Sequence, residues 1–172
     1  MEYVQFFIGV IFSPEVKVAI LSDLLSGAMG VLGEVSSVYD FNHTQYYKEE
    51  MGAGLKKIFF AIKRLEDPSH LLTLKKHSIE LEKNFFTKQG KRLANLDPGY
   101  LDAVKIVLAS GKKGGHKIAL GDGIYADMVL DYFTGHFRSF EWTFPDFKSG
   151  IYFPFFETLR ANYLKHLSVI PA

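Results

Sequence analysis

The sequence predicts an α+β fold, a ferredoxin-like strand–helix unit extended by C-terminal β-hairpins and a terminal helix on a single mixed or antiparallel sheet. Three observations predict it. The N-terminal half alternates β-rich apolar runs with two amphipathic stretches of helical spacing. The C-terminal half joins short β-rich runs through Gly-rich turns with no helices between them, which disfavours a doubly wound parallel sheet. No linker, repeat or charge block divides the 172 residues, so a single domain over residues 1–172 is expected.

The elements follow in order. Residues 3–12 (YVQFFIGVIF) form a continuous apolar run, as expected for a central strand covered on both faces. Ser13-Pro14-Glu15 supplies an N-cap, a proline for the first turn and an acid, so a helix is expected behind it with Val16, Ile20 and Leu24 on one face, ending near Gly27 to Gly30. A second strand is expected over residues 31–41, a short helix around residues 46–51, and a third strand over residues 55–65. Asp67-Pro68 repeats the cap-plus-proline signal before a helix with Leu71, Leu74, Ser78, Leu81 and Phe85 at helical spacing. Residues 91–96 and 105–109 read as strands, with residues 101–110 open to a helical reading as well. Residues 116–120 and 124–133 read as a hairpin about Gly121-Asp122-Gly123, and Thr134-Gly135 turns into a strand ending near Trp142. Residues 145–150 read as a loop, and a last helix from about Pro154 carries Phe156, Leu159, Tyr163 and Leu167 on one side.

Composition narrows the functional classes. The chain has no cysteine, which removes disulfides, thiolate metal sites and a cysteine nucleophile. Twenty basic residues against 19 acidic ones give a net charge of +1, without the basic excess that a duplex-DNA binder draws on. The first ten residues lack a basic leader region, and no apolar run approaches the ~20 residues needed to span a bilayer, so no membrane association and a cytoplasmic location are expected. Aromatic content is 15%, with 16 Phe and 9 Tyr, enough for core, pocket and a homo-oligomer interface alike.

There is no G-x-x-x-x-G-K-[ST], no G-x-G-x-x-G after the first strand, no H-E-x-x-H and no G-x-S-x-G. The six histidines show no metal-ligand spacing, so no metal site is assigned, and the sequence identifies no cofactor.

Four polar segments remain as carriers of chemistry. Residues 39–52 gather Asp40, His43, Glu49 and Glu50 with Tyr39, Tyr46 and Tyr47, and a helix starting at Tyr46 would make Tyr46 and Glu50 neighbours on one face. That pattern fits an acid–base or cation-holding group, and equally a polar connection capped by Asn42 or Thr44. Arg92, Asn95 and Asp97 precede Pro98-Gly99-Tyr100; turn chemistry explains the Pro and Gly, while strand alternation puts Asn95 and Asp97 on one face as ligand-binding groups. Ser110-Gly-Lys112-Lys113-Gly-Gly-His116-Lys117 fits an anion nest or a solvated hairpin loop. Residues 142–146 (WTFPD) fit either a flap over a pocket or aromatic capping of the sheet.

Taken together, Tyr46-Tyr47-x-x-Glu50-Met51-Gly52, the Asn-Leu-Asp-Pro-Gly-Tyr-Leu of residues 95–101, the Val-Leu-Ala-Ser of residues 107–110, the Gly-Ile-Tyr-Ala of residues 123–126 and the Thr-Phe-Pro-Asp-Phe of residues 143–147 resemble one family. It is the prokaryotic domain-of-unknown-function family numbered 4416. The resemblance implies no settled activity. This chain has Phe144 and Phe147 where tyrosines are expected, so hydroxyls there are not essential. Some relatives carry a GTP-binding label, for which this chain has neither a P-loop nor an Asn-Lys-x-Asp motif.

Two functions follow as expectations. The first is a binding protein or enzyme for an anionic or phosphorylated metabolite, with its site between residues 42–52 and 92–100. Glu50 and Asp97 would be acid/base groups, Arg92, Lys112 and Lys113 would hold the anion, and Tyr47 and Asn95 would orient it. The second is a non-enzymatic interaction module, forming an oligomer interface or stacking single-stranded RNA on surface aromatics.

Overall fold

The computed structural model of the chain describes residues 3–42 and 47–169. In chain order the elements are β1 (Val4–Phe12), α1 (Val18–Met29), β2 (Leu32–Val35), β3 (Tyr39–Asp40), α2 (Lys48–Met51), β4 (Lys56–Glu66), α3 (Leu71–Phe85), β5 (Thr87–Lys88), β6 (Lys91–Arg92), β7 (Ala94–Leu101), β8 (Lys105–Ser110), β9 (Ile118–Gly121), β10 (Ile124–Phe133), β11 (His136–Ser139), α4 (Pro145–Lys148) and α5 (Phe153–Leu167). The fold is α+β. One large antiparallel sheet runs β11-β10-β8-β7-β1-β4-β2, with β3 added to β4 and β9 to β10, and β5 and β6 form a separate small ribbon.

All nine residues of β1 are buried, as its nearly continuous apolar run, broken only by Gln5, requires. Its alternate side chains feed two cores. Phe6, Ile8 and Val10 meet Leu21 and Leu25 of α1 and Leu71 and Leu81 of α3. Phe7 meets Phe59 of β4, Phe147 of α4 and Phe156, Leu159 and Tyr163 of α5. Helices therefore cover both faces of the central strands, and edge-to-face pairs such as Phe7–Phe156 at 5.0 Å fill the second core. No helix among the described residues is long and apolar enough to cross a membrane.

Several boundaries differ from the sequence expectation. Ser13-Pro14-Glu15 closes a turn, with Val16 N–H donating to the Ser13 carbonyl, and α1 begins only at Val18. That later start turns Leu21, Leu25 and Met29 inward and leaves Ile20 exposed. The strand expected over residues 31–41 breaks at Ser36, whose N–H and hydroxyl oxygen both bond the backbone of Phe59 and take the ladder's role there. Residues 91–96 divide between the small ribbon and β7, residues 105–110 form β8 with no helix anywhere in 101–110, and residues 145–148 are helical. The strand after Thr134-Gly135 stops at Ser139, three residues short of Trp142. His43 and the Tyr46–Glu50 pairing lie outside the described residues.

The largest correction concerns Pro98 and Gly99. They lie inside β7, in the middle of the sheet, and make no turn. Gly99 has no positive φ; it is there because of close approach. A Cβ on Gly99 would stand 2.6 Å from the Val107 carbonyl oxygen and 2.7 Å from both Leu108 Cδ2 and Phe7 Cζ. Pro98 has no N–H to donate, and the ladder between β7 and β8 ends beside it, at Gly99↔Leu108. From Pro98 back to Ala94, β7 stays paired with β1 and parts from β8. Gly99→Ala should destabilise the fold by about 1–3 kcal/mol, the cost of overfilling a close-packed site, read as a lower urea midpoint at unchanged slope.

Candidate functional site

Where β7 parts from β8, Leu96 is left with backbone groups that no strand pairs. They are taken by α3. Leu96 N–H donates to Glu82 Oε1 at 2.7 Å, and Lys75 Nζ donates to the Leu96 carbonyl at 2.8 Å. Lys75 and Glu82 lie two helical turns apart on one face of α3, so they reach the same residue from above and below. Both are buried, at 6% exposure each, beside Leu71, Ser78 and Leu81 of the apolar stripe. In antiparallel pairing, alternate residues turn both backbone groups away from a given neighbour. Leu96 and Pro98 share that orientation away from β1, so the missing proline N–H and the helix-borne substitutes belong to one device.

A polar network grows from this point. Lys75 Nζ also donates to Asp97 Oδ1 at 3.0 Å, and Asn95 Nδ2 donates to Asp97 Oδ2 at 2.6 Å. Arg92 Nη1 donates to Asn95 Oδ1 at 2.9 Å and to Glu82 Oε2 at 3.0 Å. The rest of the Arg92 fork grips Glu50 of α2, with Nε to Oε1 at 2.7 Å and Nη2 to Oε2 at 2.8 Å. The four residues expected to share a site, Glu50, Arg92, Asn95 and Asp97, are therefore joined directly or through one another.

A cleft of about 520 Å³ opens in the split. Asn95 and Asp97 line it from β7, and Leu108, Ala109 and Ser110 from β8; Ile11 and Lys57 stand at its base, and Lys75, Ile79 and Glu82 come from α3. Arg92, Tyr47 and Phe41 form one side, and Lys112, Lys117 and the segment from Phe144 to Phe147 form the other. Arg92, Asn95, Asp97, Tyr47 and Lys112 thus meet in one cleft. Lys113 is exposed and does not line it, and Glu50 stands behind Arg92. The Phe144–Phe147 segment is a wall of the cleft, while Trp142 packs on Phe140 at 4.8 Å and donates to the Met128 carbonyl.

Lys57, Lys75 and Glu82 are cleft residues that the sequence reading did not identify, while Lys117 and Asp146 fall in two segments that it did single out, residues 110–117 and 142–146. Lys57 Nζ lies 2.6 Å from Asp146 Oδ2, and the faces of Phe41, Phe59, Phe147 and Tyr152 surround it at 4.7–5.4 Å. Tyr152 donates to the same Asp146 oxygen at 3.1 Å, and burial, with the Asp146 charge beside it, pushes the phenol well above its ordinary value, keeping it a donor. Lys117 Nζ lies 3.2 Å from the buried Asp127 and 2.9 Å from Ser110 Oγ.

The acids of the network differ in kind. The hydrogen bond from Arg92 holds the Glu50 carboxyl below its usual 4.5. Burial pushes Glu82 above 4.5 despite the Leu96 N–H and the nearby Lys75 charge. Glu50 is thus a fixed counter-ion, while burial makes Glu82 easier to protonate than an ordinary glutamate. Asp97 is the carboxylate most open to the cleft, with a side chain 29% exposed.

Two outcomes test the network. Glu82→Leu strips Leu96 N–H of its acceptor and leaves Lys75 and Arg92 short of a buried partner, so stability should fall by about 3–5 kcal/mol in urea unfolding. Glu50, with its folded value below 4.5, contributes stability that is whole above the ordinary value and is lost as pH falls through the depressed one. Glu82 acts in the opposite sense. Thermal midpoints followed down in pH should fall less steeply below about pH 4.5 for Glu50→Gln than for the parent chain.

No curated protein and no solved structure matches the chain. One family model does, described as a domain of unknown function (DUF4416), and its match covers residues 2–163. Nearly the whole chain, the β7–β8 split and its cleft included, lies in that span, and the protein belongs to the DUF4416 family.

Proposed function

We propose that the cleft between β7 and β8 binds a small anionic metabolite, phosphorylated or carboxylated, and that the protein acts as its binding protein or as an enzyme upon it. The observation that carries this reading is the convergence of side chains in one concave site. Five cations, Lys57, Lys75, Arg92, Lys112 and Lys117, line it against three acids, Glu82, Asp97 and Asp146. The aromatic walls, Phe41, Tyr47, Phe144 and Phe147, suit an apolar or flat portion of the ligand.

In this reading Asp97 is the base, since it faces the cleft and is oriented by Asn95 and Lys75. Lys75 beside it would neutralise charge developing on the ligand, and Glu82 would supply a proton. Glu50 acts through Arg92, by fixing the guanidinium. Tyr47 and Asn95 orient the ligand, Lys112 holds an anionic oxygen at the rim, and Lys113 steers from outside. The same reading takes the β1–α1–β2–β4–α3–β7 portion as a ferredoxin-like unit, supported by its strand order β7-β1-β4-β2. A cytoplasmic setting fits a ligand of this class.

An interaction module receives less support. Base stacking needs an aromatic sheet face, and helices cover both faces of the central strands here. Among the described residues the exposed rings Phe85, Phe133, Trp142 and Phe144 are divided between α3, β10 and the segment after β11.

The test is a thermal-shift screen of anionic metabolites on the full chain. A true ligand at a hundred times its Kd adds about 2.7 kcal/mol of stability, and Lys112→Glu, at an exposed residue of the rim, should sharply reduce that gain. A midpoint that moves with none of them, or moves equally in Lys112→Glu, defeats the proposal.

A further inference from the structure

Resting on the reading above, we infer that the ligand's anionic group is a phosphate seated at the Ser110–Lys117 turn, and that His116 takes up a proton as it binds. The argument begins at the opposite end of the cleft. Arg92 is the residue best shaped for a planar carboxylate, and Glu50 already fills its fork with two parallel hydrogen bonds. A ligand carboxylate there would have to displace a carboxylate that the fold itself provides.

The turn offers different chemistry. Ser110 Oγ accepts from Lys117 Nζ at 2.9 Å and from the Lys112 backbone N–H at 3.2 Å, so two donors already converge on one oxygen at the cleft wall. A Cβ on Gly111 or Gly115 would meet nothing within 4 Å, so a ligand can approach the backbone of the turn. Point-charge ammonium groups and backbone N–H groups spread around a glycine turn suit a tetrahedral group with several acceptor oxygens.

Lys117 has a second commitment that links binding to a proton. Its partner Asp127 is 1% exposed, with Oδ2 at 3.2 Å from Lys117 and Oδ1 without any hydrogen-bond donor. His116 Nε2 stands 3.3 Å from that idle oxygen. The imidazole is stacked on Trp142 at 5.0 Å, which fixes the ring beside that oxygen. The charged groups facing it are Asp127 from β10 and Lys117 from its own loop; the 140–142 segment presents the neutral indole. When a ligand anion draws on Lys117, the buried Asp127 charge loses part of its compensation. A proton on His116 restores it. The bound anion therefore draws a proton onto His116, and the anion binds more tightly at lower pH.

Calorimetric titration of the full chain at about pH 8 and about pH 6 tests this, using glycerol 3-phosphate, sulfate (a tetrahedral dianion that does not itself titrate there) and malonate. Glycerol 3-phosphate and sulfate should bind more tightly at the lower pH, and malonate about tenfold more weakly than either. Sulfate binding measured in two buffers of different ionisation enthalpy should show net proton uptake that His116→Gln abolishes. Lys117→Met should cost about tenfold or more in affinity, as a lost charge-assisted hydrogen bond does, and Lys117→Arg should retain binding. Malonate binding as tight as sulfate, no proton uptake, or binding lost in Arg92→Lys but intact in Lys117→Met would overturn the inference while leaving the anion cleft standing. Binding of none of the three at either pH would remove both.

Discussion

The molecule turns on a gap in the middle of its sheet, where β7 parts from β8. Leu96 lies on a strand buried among neighbours, yet its N–H and carbonyl find no strand on one side, because β8 departs where Pro98 has nothing to donate. An unmet pair of buried backbone groups would cost several kcal/mol, so such a gap persists only if something fills it. Lys75 and Glu82 fill it, and the consequences spread outward. Their charges need company inside the protein, which brings in Asp97, Arg92 and, through Arg92, Glu50 and Asn95. The polar network is thus a continuation of the sheet's hydrogen bonding by other means.

Stability alone does not account for this arrangement. A buried ion pair often does no better than well-fitted apolar side chains, since desolvation consumes most of the Coulomb gain. An apolar helix face and an uninterrupted β7–β8 ladder would close the sheet more simply. What the split provides instead is a concave opening between two strands of a rigid sheet, walled by charges that hydrogen bonds hold in fixed directions. Groups held in that way lose little freedom when a ligand arrives, which is the condition for useful binding or catalysis.

The sequence was legible where periodicity and burial agree. The apolar run of β1, the cap at Asp67 and the aromatic stripe of α5 emerge close to where the pattern puts them. Asn95 and Asp97 were legible as same-face residues because strand alternation holds whether or not the strand ends there. Pro98-Gly99 misled because turn chemistry is local, whereas what these residues answer is the position of Phe7, Val107 and Leu108, distant in the chain. Lys75 and Glu82 were invisible for the opposite reason. Spaced seven apart on an amphipathic helix, they look like an ordinary solvated pair, and only the tertiary gap at Leu96 gives them a reason to be inside. Lys57 sits beside Lys56 on β4 and differs from it only in facing; alternation sends one to Asp40 at the rim and the other into a box of four rings.

The two ends of the cleft follow from this same division. At the β7 end every charge is answered within the fold: Arg92 by Glu50 and Glu82, Lys75 by Asp97 and the Leu96 carbonyl. Such an end is stiff, and its electrostatic field is largely internal. At the β8 end the strand runs out into a glycine-rich turn, and the compensation is incomplete, with one oxygen of Asp127 lacking a donor beneath Lys117. An anion gains most where the backbone is least crowded by side chains and where a proton on His116 can offset the buried Asp127 carboxylate. The stiff end is then the natural location for groups that act on a ligand, and the turn for the group that holds it. The strand split at Pro98 provides both at once, because it frees β8 to run on into the turn while obliging α3 to send charged residues into the gap.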